Sequence, residues 1–432
     1  MESIWEKEIT PRSFERLRGD LKTDVLIVGG GLAGLLCAYK LHEAGVDYAL
    51  VEAKKIFSGT SGKSTAKITL QHGLIYDKLL RKYGKSFTRG YLNANLKAMD
   101  EYRTLCDGGE CDLTERSAYV YSLENREKIE AEVRAYESLG INAHFCKNTE
   151  LPFSVAGAVR IDGQLEINPL KLAEKISRGL NVYENTKVLE LGKNEATVHG
   201  GKIRAKKIII ATHFPILNKH GLYPLKLYQH RSYVMALTGA DTPSGMYVSD
   251  RRDGISIRDY NGHLILGGGA HRTGKEGGGW QALEDFAQKY YTGAHVAAKW
   301  AAQDCISLDG VAYIGEYSKR AKNLFVATGF NKWGLTTSMV AADLLCDLVT
   351  GKKNELAEIF SPSRSIFHKQ LIVNITESVK GLLTPSAPRC PHLGCALKYN
   401  KAEHSWDCSC HGSRFGEDGE VIDNPATDDL RQ

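Results

Sequence analysis

Apolar and polar positions change period several times along this 432-residue chain. Residues 24–28 (DVLIV) form an unbroken apolar run behind Asp24, the pattern of a strand buried on both faces. Gly29-Gly30-Gly31 follow at once, and Leu32 to Glu43 then carries Ala and Leu at helical spacing to a stop near Gly45. A second short run, Tyr48 to Val51, ends at Glu52. Strand, glycine turn, helix and strand in about thirty residues make one βαβ unit. Helical patterns predict helix across much of 74–138, with polar breaks at Asp107-Gly108-Gly109 and Gly140, and again over Pro169 to Leu180. Strands are predicted at Lys187–Leu191 and Ile208–Ala211. From about 216 to 275 the pattern turns to β, at Arg231–Leu237, Gly245–Val248, Ile255–Arg258 and His263–Gly267, with Asp and Gly turns between them. Leu324–Thr328 is a further strand ending in Gly329, and helix resumes from Gly334 to about Val349. Beyond Lys352 the texture is polar and irregular, and 381–389 (GLLTPSAPR) reads as a linker.

Composition narrows the class. At 42% hydrophobic and 25% charged residues the chain is an ordinary globular one, which excludes disordered and fibrous proteins. The formal net charge is only +5 and no dense basic block occurs, so nothing in it favours nucleic acid or an anionic membrane. Met1 is followed by Glu2, Ser3 and Glu6 rather than a basic and then apolar segment, and no apolar run approaches the roughly twenty residues of a membrane span. A cytoplasmic protein without a transmembrane segment is expected. Four of the ten cysteines lie between 390 and 410; Cys37, Cys106, Cys111, Cys146, Cys305 and Cys346 are scattered singly, as buried or reduced thiols would be.

The glycine turn carries the first chemistry. Gly29-x-Gly31-x-x-Gly34 follows a strand, opens a helix, and is followed by an acid, Glu52, at the end of the next strand. Gly29 permits the tight turn, Gly31 lets backbone approach a pyrophosphate at the helix N-terminus, and Gly34 allows close helix packing. Glu52 is placed to accept from ribose hydroxyls. Gly59 to Thr65 looks superficially like a phosphate loop but lacks the Walker A spacing. Four segments in order, SIWEK, TDVLIVGGGLAGL, the loop SGTSGKSTAKITLQHG (58–73), and DGVAYIG with ATGFNKWGLTTS (309–315, 327–338), resemble the FAD-dependent D-amino-acid oxidase-like superfamily. The resemblance implies FAD. It implies that the 58–73 loop, with Ser64, Thr65 and Ala66, wraps the flavin, that the backbone at Val188 holds the adenine, that Ala211-Thr212 is a second strand-end fingerprint, and that Gly329, Gly334 and Leu335 lie along the isoalloxazine ring.

Near the C-terminus, Cys390-x-His392 and Cys408-x-x-His411 bring two thiols and two imidazoles together across fifteen intervening residues. Such a set suits zinc, or a [2Fe–2S] cluster with two thiolates on one iron and two imidazoles on the other, whose potential is roughly −150 to +300 mV. The extra pair Cys395 and Cys410, and the runs HLGC and CHGSRF, resemble Rieske proteins. That resemblance implies a [2Fe–2S] cluster held by Cys390, His392, Cys408 and His411, and a Cys395–Cys410 disulfide clamping the loops. It covers about 387–427, with a base that looks truncated because only a short linker precedes the first ligand loop.

The fold class expected is therefore α/β: a discontinuous Rossmann-like FAD-binding domain with an inserted α+β substrate domain, plus a small all-β Rieske-like segment. The flavoprotein unit would span 1–380, with FAD-binding parts near 20–100, 165–215 and 300–350 and substrate-side parts near 100–165 and 216–300; 381–386 would be the linker and 387–432 the cluster segment. The resemblance implies oxidation of a C–N bond in a small amine or amino acid, with the cluster as a one-electron relay to a redox carrier protein or quinone. Alternatives are an electron-transfer protein with no small-molecule substrate, or a plain oxidase with a zinc-bound or empty C-terminal site. Lys67 and His72 are catalytic candidates in the flavin loop. Asp304 stands where related enzymes place a carboxylate-binding arginine, which favours an amine. His230, Arg231 and His271 fall in the β block expected to roof the site, and Cys305 is too close to Asp309 for a covalent flavin link.

Overall fold

A computed structural model describes residues 2–217, 220–385 and 388–430. Among these, an eight-stranded sheet carries the nucleotide-binding half. Its main path runs Tyr313–Glu316, Leu324–Thr328, Gly201–Ile210, Leu21–Val28, Tyr48–Val51, Val182–Tyr183. All neighbours on that path are parallel except the first pair. Val25 to Val28 are all buried: Val25 and Ile27 pack with helix Leu32–Glu43 on one face, and Leu26 and Val28 with Val188, Ala196 and Val198 on the other. Helix Leu32–Glu43 packs on helix Gly334–Thr350, so the two glycine-flanked turns that start them meet at one end of the sheet.

A second, nine-stranded sheet stands over that end. Its main path runs His295–Ser307, Leu227–Thr238, His263–Arg272, Ser256–Tyr260, Met246–Ser249, Thr114–Ser122, Gly157–Glu166, Lys67–Ile68, and the ninth strand, His144–Cys146, pairs with Gly157–Glu166. Strand Thr114–Ser122 lies inside the stretch predicted to be mainly helical. Its partners, 246–249 in parallel and 157–166 in antiparallel, are remote in sequence, so no local periodicity announces it. The predicted α/β core with an inserted β-rich unit agrees with these sheets.

The C-terminal segment folds as a four-stranded sheet, Leu397–Asn400, Ser405–Cys408, Arg414–Phe415, Val421–Asp423. A helix, Lys369–Leu383, precedes it in what reads as irregular chain, and its last turn takes residues 381–383 of the expected linker. Gly381 there is not a turn residue. A Cβ on it would sit 2.4 Å from Cys410 Sγ, so the glycine lets the helix seat directly on the cluster loops. The helix braces the ligand loops, with Ala396 N donating to the Gly381 carbonyl at 3.0 Å. Ser386 and Ala387, at the expected domain border, lie outside the described residues, as does Met1.

Candidate functional site

One cavity of about 1210 Å³ lies between the two sheets, above the size range of typical ligand pockets. The glycine turn opens it. Gly29 has φ +113 and a Cβ there would be 2.5 Å from the Ala211 carbonyl; a Cβ on Gly34 would be 1.9 Å from the Gly29 carbonyl. Helix Leu32–Glu43 has no N-cap side-chain bond and no acid in its first turn; the neutral Ser61 hydroxyl accepts from Leu32 N at 2.9 Å, and the helix N-terminus faces the cavity, where a pyrophosphate would bind. Glu52 lines the cavity with Oε2 accepting from Gly30 N (2.6 Å) and Oε1 from Lys54 N (2.9 Å); burial raises its pKa. Lone pairs remain on both oxygens for ribose hydroxyls.

The flavin loop is pinned through its backbone. Trp5 Nε1 donates to the Ser64 carbonyl and Trp300 Nε1 to the Lys63 carbonyl, both at 2.9 Å. Buried Arg258 donates to the carbonyls of Thr65 and Ala66, also at 2.9 Å, and pairs with Glu166 at 3.3 Å. Each donor comes from a different part of the chain, which fixes the loop without using its side chains. Ser64, Thr65, Val188, Ala211, Thr212, Gly329, Gly334 and Leu335 line the cavity beside Gly29, Gly31 and Glu52. Gly34 and Ala66 do not: Gly34 serves helix packing, and Ala66 is fully buried with φ +56.

The catalytic candidates separate. Lys67 is buried at the cavity wall, donates to Thr65 Oγ1 at 3.0 Å, and is pushed down to about 7 by desolvation and by Arg258, against Glu166. His72 has both ring nitrogens engaged, Nδ1 with Tyr91 OH (2.5 Å) and Nε2 with Thr336 Oγ1 (3.0 Å), and stacks on Trp333 at 5.1 Å. Desolvation pushes it to about 3, so it is a neutral support for Trp333. Asp304 faces the cavity, its pKa raised by desolvation while Lys332, His213 and Arg231 oppose that shift.

Lys332 escaped the sequence reading. It follows Asn331, and both have positive φ (75 and 55), so a left-handed turn aims it into the cavity near Asp304 and Arg252. Nothing in GFNKWG marks that backbone in advance. Of the roof residues, His230 lines the cavity and is driven to about 2 by burial. His271 is bonded to Tyr233 and the Arg272 carbonyl outside it. Cys305 is a buried neutral thiol, raised to about 12 by desolvation and in contact with Thr328.

Arg231 lines the cavity too, and it has a second role. It forms a fork with Glu403 of the C-terminal sheet, which Arg414 also holds at 2.9 Å; Arg414 reaches Asp407 (3.0 Å) and Asp423 (3.1 Å). Gln303 is a second bridge. Its Nε2 donates to the Gly412 carbonyl at 2.8 Å, while its own carbonyl accepts from Thr60 of the flavin loop at 2.7 Å. Asn424 donates to the carbonyls of Thr212 and Phe214 and, with Asp423, lines the same cavity.

The two ligand loops repeat one geometry. Gly394 N bonds the Cys390 carbonyl and Gly412 N the Cys408 carbonyl, both at 2.9 Å, with φ +77 and +91 at the glycines. Cys390 and Cys408 are in sulfur contact, and the Ser413 hydroxyl hydrogen-bonds Cys390. Contacts from Cys390, Cys395 and Cys410 hold Cys408 well below its ordinary thiol pKa. The rings of His392 and His411 stand 5.0 Å apart at 83°, each 6.3 Å from Phe214. Burial lowers both histidines, as neutral nitrogen ligands require. His411 Nδ1 is buried without a hydrogen-bond partner among the described residues, and its ring bonds the Pro224 backbone on the other side. A metal on Nδ1 satisfies that atom, so these residues fit the cluster. Cys395 and Cys410 are free thiols here, their sulfurs within 4.8 Å of each other and of Cys408.

Residues 24–348 match the family described as FAD dependent oxidoreductase, and residues 348–432 match the Rieske [2Fe-2S] domain. A Bacillus subtilis (strain 168) protein named for a Rieske 2Fe-2S iron-sulfur centre, YhfW, is 33% identical over 100% of this chain and 97% of its own length. Glycine oxidase from Geobacillus kaustophilus superposes with a TM-score of 0.68 at 20% identity, over 80% of this chain and 99% of that one. L-proline dehydrogenase from P. horikoshii gives 0.66 at 14% identity, over 81% and 98%. Among the described residues no helix is long and apolar enough to cross a membrane.

Proposed function

The chain belongs to the FAD dependent oxidoreductase family and ends in a Rieske [2Fe–2S] domain, and from that premise we propose that it oxidises the C–N bond of a small amine or amino acid and releases the electrons singly through its cluster. FAD supplies the two-electron acceptor and the cluster a one-electron carrier. The observation that carries the reading is the shared wall of the cavity. Asp423 and Asn424 of the C-terminal segment line the same space as Lys67, Asp304 and Lys332, and Gln303 ties the flavin loop to the loop bearing His411. Glycine oxidase and L-proline dehydrogenase, which share the fold, are named for amino acids, and this supports a C–N substrate.

The chain's own residues divide the work. Lys67, with a pKa of about 7, holds a neutral amine over much of the physiological range and takes the proton that an ammonium substrate must lose before oxidation. Lys332 and Asp304 present opposite charges to the substrate end and orient its polar group. His72 keeps Trp333 in place as part of the wall. Buried, neutral Cys305 favours noncovalent flavin.

The test is an anaerobic titration of the holoenzyme with a panel of amines and amino acids, following flavin absorbance and the reduced-cluster EPR signal together. One compound that bleaches the flavin and raises the cluster signal is the expected result. If no panel member reduces the flavin while a reduced carrier protein does, the reading gives way to electron transfer without a small substrate.

A further inference from the structure

Helix Lys369–Leu383 is turned inside out. Its buried face is polar: Asn374 bonds the Leu225 carbonyl (3.1 Å) and Arg272 (3.0 Å), and Glu377 pairs with Lys275 at 2.5 Å. Its solvent face is apolar, with Ile372 (68% exposed), Ile375, Val379 and Leu383 (77% exposed) recurring at three- and four-residue spacing. Phe367, just before the helix, is 87% exposed. Leu393, exposed on the first ligand loop, continues this surface, since Arg389 donates to the carbonyls of both Leu382 (3.2 Å) and Gly394 (3.1 Å) and holds the helix end to that loop. Exposed apolar residues scattered singly need no explanation; a contiguous stripe along one helix marks an interaction surface.

The unpaired charges on the helix itself are of one sign. Lys369 and Lys380 are exposed on the helix itself. Its one acid, Glu377, is taken by Lys275. Lys82 Nζ meets His368 at 2.5 Å, which brings the exposed Lys82 of helix Tyr76–Leu105 to the start of the stripe. We propose that this helix is a docking surface for an anionic lipid bilayer, with the apolar stripe entering the headgroup boundary and the lysines on its flanks meeting lipid phosphates. A second copy of the chain fits less well. A two-fold pairing on this face would set its like charges opposite one another.

The proposal does not depend on the proposed reaction. Its consequence is positional: the loop carrying Leu393 and the half-buried His392 shares the docked face, so the cluster's more accessible edge is held at the bilayer, where a lipid-soluble acceptor would be met.

The experiment is co-sedimentation of the full-length holoenzyme with vesicles of phosphatidylcholine alone and of phosphatidylcholine with phosphatidylglycerol. Binding to the mixed vesicles that weakens with salt, and little binding to phosphatidylcholine alone, is expected. The double variant I372S/L383S, and separately K369E/K380E, should each lower partitioning by about tenfold or more while leaving FAD and cluster absorbance intact. Equal binding of wild type and I372S/L383S, or no binding to either vesicle, would overturn the proposal. So would light scattering that finds a dimer which I372S/L383S converts to a monomer, because the face would then belong to a second copy.

Discussion

Replacing Glu403 by Gln should loosen the C-terminal sheet from the flavoprotein body. The carboxylate is nearly buried and bridges Arg231 of the roof strand to Arg414 of the cluster segment, each itself buried. Despite the opposing effect of desolvation, which is large, those guanidinium groups depress its pKa from 4.5 to about 2. By linkage that depression corresponds to about 3 kcal/mol of stability. The sign follows from the direction: the folded pKa is lowered, so the contribution is full above about pH 4.5 and is lost as pH falls through about 2. In E403Q the contribution is absent at neutral pH; Arg414 keeps Asp407 and Asp423, and Arg231 keeps Asp423, so neither guanidinium is left as an unpaired buried charge and the loss stays near that ~3 kcal/mol. A 3 kcal/mol loss raises the population of undocked molecules by about 10²-fold. Limited proteolysis under native conditions reads that population when opening and closing are fast relative to cleavage. Cleavage ahead of the ligand loops should accelerate by that order in E403Q at pH 7, and wild type should approach the variant's rate as the pH is lowered. Equal rates at pH 7 would refute the reasoning and leave the ion-pair network without energetic weight.

Four further outcomes are expected. Because Lys67 titrates near 7, substrate reduction of the flavin should speed up as pH rises through that value, and K67M should abolish this limb; a limb surviving in K67M assigns it to another group. G34A forces a Cβ to within 1.9 Å of the Gly29 carbonyl, so it should cost about 1–3 kcal/mol and release FAD on gel filtration; retention of stoichiometric FAD would contradict the packing argument. C408S should remove the cluster's EPR and visible bands while flavin absorbance persists, and a cluster that survives would exclude Cys408 as a ligand. Q303L should leave substrate reduction of the flavin unchanged and slow the subsequent appearance of reduced cluster, measured by rapid-freeze EPR; unaltered cluster reduction would mean that the Thr60–Gln303–Gly412 bridge has no part in coupling the centres.

What could be read from the chain beforehand is what lies close together along it. The βαβ unit, the glycine turn and the paired ligand loops each complete their geometry within about thirty residues, so spacing alone exposes them. Strand Thr114–Ser122 is visible only once residues 157–166 and 246–249 flank it, because a strand's period is meaningful only against its partners. Arg231 shows the same limit in a side chain. From sequence it is a cation in a roof strand; Glu403, 172 residues away, makes it a clamp as well as part of the cavity wall. Lys332 depends on two consecutive left-handed residues that no motif demands. The helix Lys369–Leu383 is the clearest case, since its apolar positions do recur at helical spacing yet face solvent. Periodicity names the faces of a helix and leaves open which one is inside. Here the inner face was claimed by Asn374 and Gly381, which fit Arg272 and Cys410, and the apolar face was left for something outside the chain. The near-neutral charge of the whole chain hid the matching cations for the same reason: Lys82 and Lys369 become one patch only through the contact with His368.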